Sequence, residues 1–226
     1  MNPIEEKESF GISLGSTNSI LSKGTKARII CIQNDLSNIT TPSIMGFTEF
    51  ERIHGQTAQI QFITNYKNSI PFIPRLLNIY PEELEEEMKY LGVNILQIKE
   101  RQNEFYFQVN RNRKEELFRP EQILAMFIIK ILHKEIQNVK KSKAVVISVP
   151  HYFTVNERIA LLNSCSIAGI SISKVLNENS ACGLEYAMNN LSELNYQNRN
   201  VLFIDIGHCK TTMFIIKFNG LGMEII

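Results

Sequence analysis

The sequence predicts an α/β fold in which one structural unit occurs twice. The first observation is a pattern repeated near both ends of the 226 residues. An apolar strand, a glycine, a few small polar residues and a second strand occur at 10–21 and again at 202–216. The second observation is an alternation of apolar strands and helices from about residue 144 onward. Together they indicate a duplicated fold.

Composition is that of an ordinary globular chain and excludes several function classes. Apolar residues make up 44% and charged residues 21% of the sequence. The net charge of +1 gives no basic footprint for nucleic acid or an anionic membrane. No apolar run reaches membrane-spanning length, and the acidic N-terminus is unlike a signal peptide. The four cysteines lack C-x-x-C spacing, so we expect reduced thiols and a cytoplasmic or nuclear location.

The first half of the chain is predicted to contain short strands separated by turns. The pattern predicts two or three strands over 9–33, broken at Gly15 and Gly24. A strand pair at 43–47 and 51–55 follows, and then a helix that begins within 56–66. Pro71 and Pro74 then interrupt the chain. A short helix over 81–92 and a strand pair at 93–98 and 104–109 follow. Pro120 begins a longer helix with an apolar stripe.

The second half of the chain reads as strand–helix units. The nearly all-apolar segment 144–149 predicts a buried strand. Thr154 and Glu157 form a capping-box pattern for a helix that Gly169 ends. The remaining elements are a strand at 170–176, a helix at 178–190, a polar loop at 191–200 and the second hairpin from 201 onward.

The two hairpins carry the functional signal. Glycine at the corner permits positive φ and a close approach of the backbone to a ligand. The following turn offers N–H and hydroxyl donors suited to phosphate oxygens. An ordinary glycine-cornered hairpin is the commoner explanation for either one alone. Two copies at opposite ends favour paired phosphate-binding turns.

Several other motifs accompany the hairpins: Thr41-Pro42-Ser43, Asn68-Ser69, Arg75-Leu76, the segment 149–153, the segment 168–170 and Asn177-Glu178. With them, the chain resembles the nucleotide-binding domain of the seventy-kilodalton heat-shock chaperones of DnaK type, in the actin and sugar-kinase superfamily. The second hairpin, 203–208, is more similar to the 110-kilodalton branch of that family, whose members act chiefly as nucleotide exchange factors and holdases.

The resemblance implies an actin-like ATPase (ribonuclease H-like) fold. Residues 1–8 would be an N-terminal tail, and 9–198 a first lobe with an inserted subdomain at about 40–120. Residues 199–226 would be the opening β-hairpin of an incomplete second lobe. An unpaired apolar edge there leads us to expect self-association or a poorly held C-terminus.

The resemblance also implies that both hairpins contact phosphates. By position, the phosphate-lining residues are Gly15, Ser16, Thr17 and Asn18 in the first hairpin and Gly207 and His208 in the second. The family has three glycines and a threonine where this chain has Gly207, His208, Cys209 and Lys210. Side chains at those positions should hinder the approach of phosphate. ATP and ADP are therefore expected to bind weakly or not at all.

Four further positions bear on catalysis. Glu178 matches the family carboxylate that contacts magnesium-bound water, and Asp205 matches the aspartate of the second hairpin. A helix N-terminal acid and a turn acid are the structural alternatives. Ser13 replaces an aspartate that organises magnesium, so magnesium is a candidate cofactor without an assigned ligand residue. Pro74 replaces the catalytic lysine, a loss worth roughly a hundredfold to a thousandfold in rate.

The first functional hypothesis is therefore an ATP-binding module of the chaperone family that assists protein folding in the stress response. It would act as a co-chaperone or nucleotide exchange factor with little or no hydrolysis. A DnaK-type chaperone and unfolded clients are the expected partners. The alternatives are a vestigial interaction module that binds no nucleotide, and an active ATPase or phosphotransferase of the same fold.

Overall fold

The computed structural model describes residues 8–25, 28–77, 79, 83, 86, 89, 95–97, 105–142, 144–190, 198–219 and 222–226. The chain forms two compact units. The first comprises Met1–Ile147 and Phe153–Lys174, and the second comprises Ser148–Tyr152 and Val175–Ile226.

The main sheet begins with an antiparallel meander. Its strands are β1 (Ser9–Leu14), β2 (Asn18–Gly24) and β3 (Ile29–Ile32), followed by β4 (Thr40–Pro42), which also pairs with β2. With β11 (Val145–Val149) and β12 (Lys174–Asn177), the order is β12-β11-β1-β2-β3. Alternate β1 side chains, Phe10, Ile12 and Leu14, are buried, as a sheet with one core-facing side requires.

Two smaller sheets complete the strands of the first unit. One has the order β6-β5-β7, formed by β5 (Met45–Phe47), β6 (Arg52–His54) and β7 (Ser69–Ile70). The other has the order β10-β9-β8, formed by β8 (Ile95–Gln97), β9 (Phe105–Arg111) and β10 (Lys114–Phe118). Short 3₁₀ turns lie at Tyr66–Asn68 and Ile73–Leu76.

Where the structure describes the first unit, its helices include α1 (Gly55–Gln61), α2 (Pro120–Ile131), α3 (Ile136–Lys141) and α4 (Val155–Ile167). The capping box of α4 is present, because the Thr154 N–H donates to Glu157 Oε2 over 2.6 Å and the Glu157 N–H donates to Thr154 Oγ1 over 3.4 Å. Gly169 follows the helix in the left-handed region, with φ of 72°. Helix α4 packs against α2, and Leu161 of α4 and Leu124 of α2 are both buried.

The second unit contains α5 (Glu178–Asn189) and a meander of β13 (Arg199–Ile206), β14 (Thr211–Asn219) and β15 (Gly222–Ile225). Its core is formed by Phe214, Ile216 and Phe218, with Tyr186 of α5 packed against them. A Cβ on Gly183 would lie 2.5 Å from Ile216 Cδ1, so glycine lets α5 approach the sheet.

The elements agree with the sequence pattern except at some boundaries. The strands within 9–33, the two predicted strand pairs and both hairpins are present. Helix α1 ends at Gln61; Ala58 is buried and Phe62 packs against its cluster, whereas Ile60 and Ile63 are exposed. The strand predicted at 170–176 begins only at Lys174, and β10 was not predicted because Lys114–Phe118 is mostly charged. The predicted helix over 81–92 falls mainly outside the described residues, as does most of the loop at 191–200.

Candidate phosphate-binding turns

The two glycine hairpins close with the same backbone hydrogen bond. At the β1–β2 turn, the Gly15 N–H donates to the Asn18 carbonyl over 3.1 Å. At the β13–β14 turn, the Gly207 N–H donates to the Lys210 carbonyl over 3.0 Å. Each bond leaves a tip of two residues, Ser16-Thr17 in one hairpin and His208-Cys209 in the other.

Glycine is needed in both corners because of a close cross-turn contact. A Cβ on Gly15 would lie 2.5 Å from the Asn18 carbonyl oxygen, and one on Gly207 would lie 3.0 Å from the Lys210 carbonyl oxygen. Among the described glycines, positive φ occurs elsewhere, at Gly55, Gly169 and Gly222. Neither corner uses the positive φ that glycine permits, and steric space for a carbonyl explains these two glycines.

Ser43, buried with 2% exposure, braces the first turn. Its hydroxyl donates to the Gly15 carbonyl over 2.7 Å and lies 2.9 Å from the hydroxyl of buried Ser19. Its N–H donates to the Thr17 carbonyl over 2.8 Å. Buried hydrogen bonds of this kind fix a turn, since breaking one leaves a polar atom without a partner. The sequence pattern marks Ser43 only as part of a short motif, because its partner Gly15 is 28 residues away.

The same brace reaches the segment that contains Pro74. The Ile73 N–H donates to the Ser43 carbonyl over 3.3 Å, which links the 3₁₀ turn at Ile73–Leu76 to the first hairpin. Pro74 is buried in that turn. A proline has no N–H and no charge, so this position cannot stabilise a phosphoryl group.

The tip of the first turn offers hydrogen-bond donors. Within the described part of the chain, the N–H groups and hydroxyls of Ser16 and Thr17 donate to no acceptor. Both residues are half-buried. Ser13 lies on β1 opposite Ile20, and its hydroxyl makes no hydrogen bond to another described residue. The arrangement fits phosphate oxygens but supplies no carboxylate for a divalent cation.

The second turn has different surroundings. Lys210 Nζ lies 3.8 Å from the centre of the Tyr152 ring, a cation–π contact, and the Tyr152 ring meets the His151 ring edge-on at 5.5 Å. His208 at the tip is exposed. No side-chain hydroxyl among the described residues hydrogen-bonds the Gly207 carbonyl. This turn therefore has a positive charge beside it and lacks a counterpart of Ser43.

The structure brings Glu178 and Asp205 close together within the second unit. Glu178 is the first residue of α5, and Asp205 lies on β13 opposite Thr212. Burial and, to a smaller extent, the Asp205 charge raise the pKa of Glu178. The pKa of Cys182, one turn along α5, is raised as well. Burial is the largest cause, and the charges of Asp205 and Glu178 add to it. Two carboxylates could accept hydrogen bonds from the water shell of magnesium, but no described group of three or more acidic, His or Cys side chains is placed to hold a metal directly.

The predicted site residues thus fall in two places. Gly15, Ser16, Thr17 and Asn18 form the first turn in the first unit, and Gly207, His208, Glu178 and Asp205 lie in the second. A cleft shared by the two turns stays a prediction, as does the predicted domain boundary at residue 199.

An α/β framework that carries two glycine-closed hairpins fits the actin-like ATPase class. A family model described as "Hsp70 protein" matches residues 9–225. The chain belongs to the Hsp70 family, and its fold is the actin-like ATPase fold of that family.

Its relatives include a heat shock protein homolog of Saccharomyces cerevisiae, 28% identical over 96% of this chain and 32% of that protein. The 97 kDa heat shock protein of Strongylocentrotus purpuratus is 30% identical over 96% of this chain and 25% of that protein. Heat shock protein 110 of Caenorhabditis elegans is 29% identical over 96% of this chain and 29% of that protein. The chain therefore spans about a quarter to a third of the length of these relatives. Among the described residues, none of the helices has the length and apolar character needed to cross a membrane.

Proposed function

We propose that this chain is a nucleotide-responsive module of a chaperone system, which binds the phosphate end of ATP or ADP weakly and hydrolyses little or none of it. Its role would be that of a co-chaperone or nucleotide exchange factor for a DnaK-type chaperone. The relatives named heat shock protein, including one named heat shock protein 110, support this assignment. We propose the cytoplasm as its compartment, with the nucleus as the alternative.

The first turn carries the proposal. Among the described residues, the donors of Ser16 and Thr17 have no acceptor. Buried Ser43 holds the turn through its contacts with the Gly15 carbonyl and the Ser19 hydroxyl. Donors held rigid before a ligand arrives lose little freedom when it binds. A triphosphate tail would supply the missing acceptors.

Side chains around the same turn argue against fast hydrolysis. Ser13 and Pro74 stand where the resemblance implies an aspartate and a lysine, and neither carries a charge. In the second turn, the Lys210 ammonium lies 3.8 Å from the centre of the Tyr152 ring. If magnesium is bound, the Glu178 and Asp205 carboxylates would accept hydrogen bonds from its water shell. Removing one electrostatic stabiliser typically slows phosphoryl transfer by about a hundredfold to a thousandfold.

The test is the melting temperature of the full chain with Mg-ATP, inorganic tripolyphosphate or adenosine. Ligands that bind the folded state raise the melting temperature by mass action. We expect similar shifts with ATP and tripolyphosphate, none with adenosine, and phosphate release at background level. Ser16→Asp should abolish the shift, because a carboxylate at the tip repels phosphate. Asn163→Asp, the same charge change on an exposed face of α4, should leave it unchanged.

Other outcomes favour the alternatives. If no phosphate ligand shifts the melting temperature, a vestigial interaction module is favoured. The side chains of His208 and Cys209 at the second tip and the placement of Lys210 on the Tyr152 ring support that alternative. Phosphate release well above background would favour an active ATPase. The exchange-factor role is tested separately, by release of a fluorescent nucleotide from a DnaK-type chaperone. We expect faster release with this chain, and an unchanged rate would remove that role.

A further inference from the structure

Two buried serines lie behind the first glycine-closed turn. Ser19 is 1% exposed and Ser43 is 2% exposed. The Ser43 hydroxyl lies 2.7 Å from the Gly15 carbonyl oxygen and 2.9 Å from the Ser19 hydroxyl. Within the described part of the chain, the Ser19 hydroxyl makes no other hydrogen bond. The Ser19 hydroxyl therefore acts on the turn only through Ser43.

The chemistry of these three groups fixes the direction of both hydrogen bonds. A carbonyl oxygen only accepts, so the one proton of the Ser43 hydroxyl lies toward Gly15. Ser43 then has no proton left for its second neighbour, and the Ser19 hydroxyl must donate to the Ser43 oxygen. The result is a directed relay of hydrogen bonds that runs from Ser19 through Ser43 to the Gly15 carbonyl.

The relay ends on the peptide group that carries the Ser16 N–H. The Gly15 carbonyl and the Ser16 N–H belong to one planar unit, and the described peptide bonds are trans. The two groups of a trans peptide point in opposite directions. Because the Gly15 carbonyl points toward Ser43, the Ser16 N–H points away from the buried serines, and no described acceptor receives it.

Hydrogen bonds linked in this way strengthen one another. A donor at the carbonyl oxygen draws electrons toward that oxygen and makes the N–H of the same peptide a stronger donor. The gain is about 10–30% for each bond in a chain, in an interior where the dielectric constant is low. At the second turn, no described side-chain hydroxyl bonds the Gly207 carbonyl, so the His208 N–H lacks this support.

We propose that Ser19 and Ser43 are positioning residues for anion binding, since their relay aims the Ser16 N–H at a phosphoryl oxygen and strengthens it as a donor. This inference rests on the proposed function of the first turn. Both serines lie on the carbonyl side of the peptide and the anion lies on the N–H side, so neither hydroxyl touches the ligand. The ligand atom at Ser16 is an unprotonated oxygen, because an N–H can only donate.

A matched pair of variants at Ser19 separates the hydroxyl from the volume of the side chain. Ser19→Thr and Ser19→Val introduce β-branched side chains of nearly the same shape, and only threonine keeps the hydroxyl. Calorimetric titration of the full chain with inorganic tripolyphosphate should give a dissociation constant about two- to fourfold higher for Ser19→Val than for Ser19→Thr.

Alanine variants repeat the comparison without added bulk. Ser19→Ala should weaken tripolyphosphate binding relative to the parent chain by the same two- to fourfold or so. The control is Ser22→Ala on the same strand, where the lost hydroxyl donates to the Gly11 carbonyl over 3.2 Å, away from the turn. Ser22→Ala should leave the dissociation constant unchanged.

Amide NMR without ligand gives a readout that a merely structural role would not produce. The nitrogen chemical shift of an amide responds to the hydrogen bond accepted by the carbonyl of its own peptide. The Ser16 resonance should therefore differ between Ser19→Val and Ser19→Thr. The Thr17 resonance should be nearly the same in both, because no described residue bonds the Ser16 carbonyl.

The possible outcomes separate this inference from the proposed function. If the parent chain binds tripolyphosphate and removal of the Ser19 hydroxyl does not weaken binding, only the relay is wrong. Ser16 and Thr17 resonances that move together would also overturn it, since Ser19 would then only hold the turn in place. If the parent chain binds no tripolyphosphate, the proposed function fails and the role of the relay in binding fails with it, although a shift confined to Ser16 would still establish the relay itself.

Discussion

The two glycine-closed turns have the same closing backbone hydrogen bond and differ in the side chains around it. Both close through a glycine N–H and a carbonyl three residues on, at 3.1 and 3.0 Å. The first rests on buried Ser43 and presents small polar donors. The second presents His208 and Cys209, with Lys210 placed on the Tyr152 ring. The backbone geometry of each turn depends on its glycine and on strand register. Its capacity to bind a ligand depends on the side chains at its tip and on those that other segments place beside it. The backbone geometry can therefore be kept while the capacity to bind a ligand changes.

The largest expected effect separates the two corner glycines. Gly15→Ala forces a Cβ to within 2.5 Å of a backbone oxygen, so the braced turn must shift. We expect the free energy of unfolding to fall by about 2–3 kcal/mol, as for other overpacked sites. Gly207→Ala meets its oxygen at 3.0 Å and should cost about 1 kcal/mol or less. Chemical denaturation measures both, and equal losses would contradict the difference between the turns.

The next largest loss of stability is expected at Ser43, whose hydrogen bonds support the first turn. Ser43→Ala leaves the Gly15 carbonyl and the Ser19 hydroxyl without their partner. An unsatisfied buried group costs about 1–2 kcal/mol, and the loss should be seen in urea denaturation. Ser16→Ala is the matched control, because that hydroxyl bonds no described residue, and it should change stability by less than about 0.5 kcal/mol. If both variants cost the same, Ser43 is not a brace.

A smaller effect is expected at the second turn. Lys210→Met keeps most of the apolar side chain and removes the charge over the Tyr152 ring. A partly exposed cation–π contact is worth about 0.5–1 kcal/mol, so the melting temperature should fall slightly. Lys114→Met, at an exposed position of β10, should not change it. A melting temperature unaffected by Lys210→Met would show that the contact does not stabilise the turn.

The smallest effect concerns the carboxylate pair and depends on pH. The pKa of Glu178 is raised in the folded state, so the folded chain holds that proton more tightly than the unfolded one. Stability is therefore lost as pH rises from near the ordinary value of 4.5 through the raised pKa. Glu178→Gln should be more stable than the parent at pH 7 by roughly 0.2–1 kcal/mol, since the pair is partly exposed to solvent. The gain should vanish well below pH 4.5.

Asp205→Asn removes the other charge and serves as the reciprocal variant. It should give the smaller part of the same gain at pH 7, and adding it to Glu178→Gln should change stability little further, because the charge interaction is already removed. Additive gains would mean that Asp205 does not contribute to the raised pKa of Glu178.

The sequence predicted local features better than contacts between distant residues. The strands around Gly15 and Gly207 and the capping box at Thr154 depend on neighbouring residues, and all are present. The role of Ser43 could not be read from the sequence, because no periodicity connects it to a carbonyl 28 residues away. The contact between Lys210 and Tyr152 was missed for the same reason. Glu178 and Asp205 were identified through the family resemblance, and the contribution of Asp205 to the raised pKa of Glu178 follows only from folding.

The most direct test of the difference between the turns is a titration of the isotope-labelled full chain with inorganic tripolyphosphate, followed by amide NMR. We predict that the Ser16 and Thr17 amide resonances shift progressively and saturate, while those of His208 and Cys209 shift less or at higher concentration. Amides at both turns that stay unmoved at saturating ligand, or that move only at the second turn, would contradict the account.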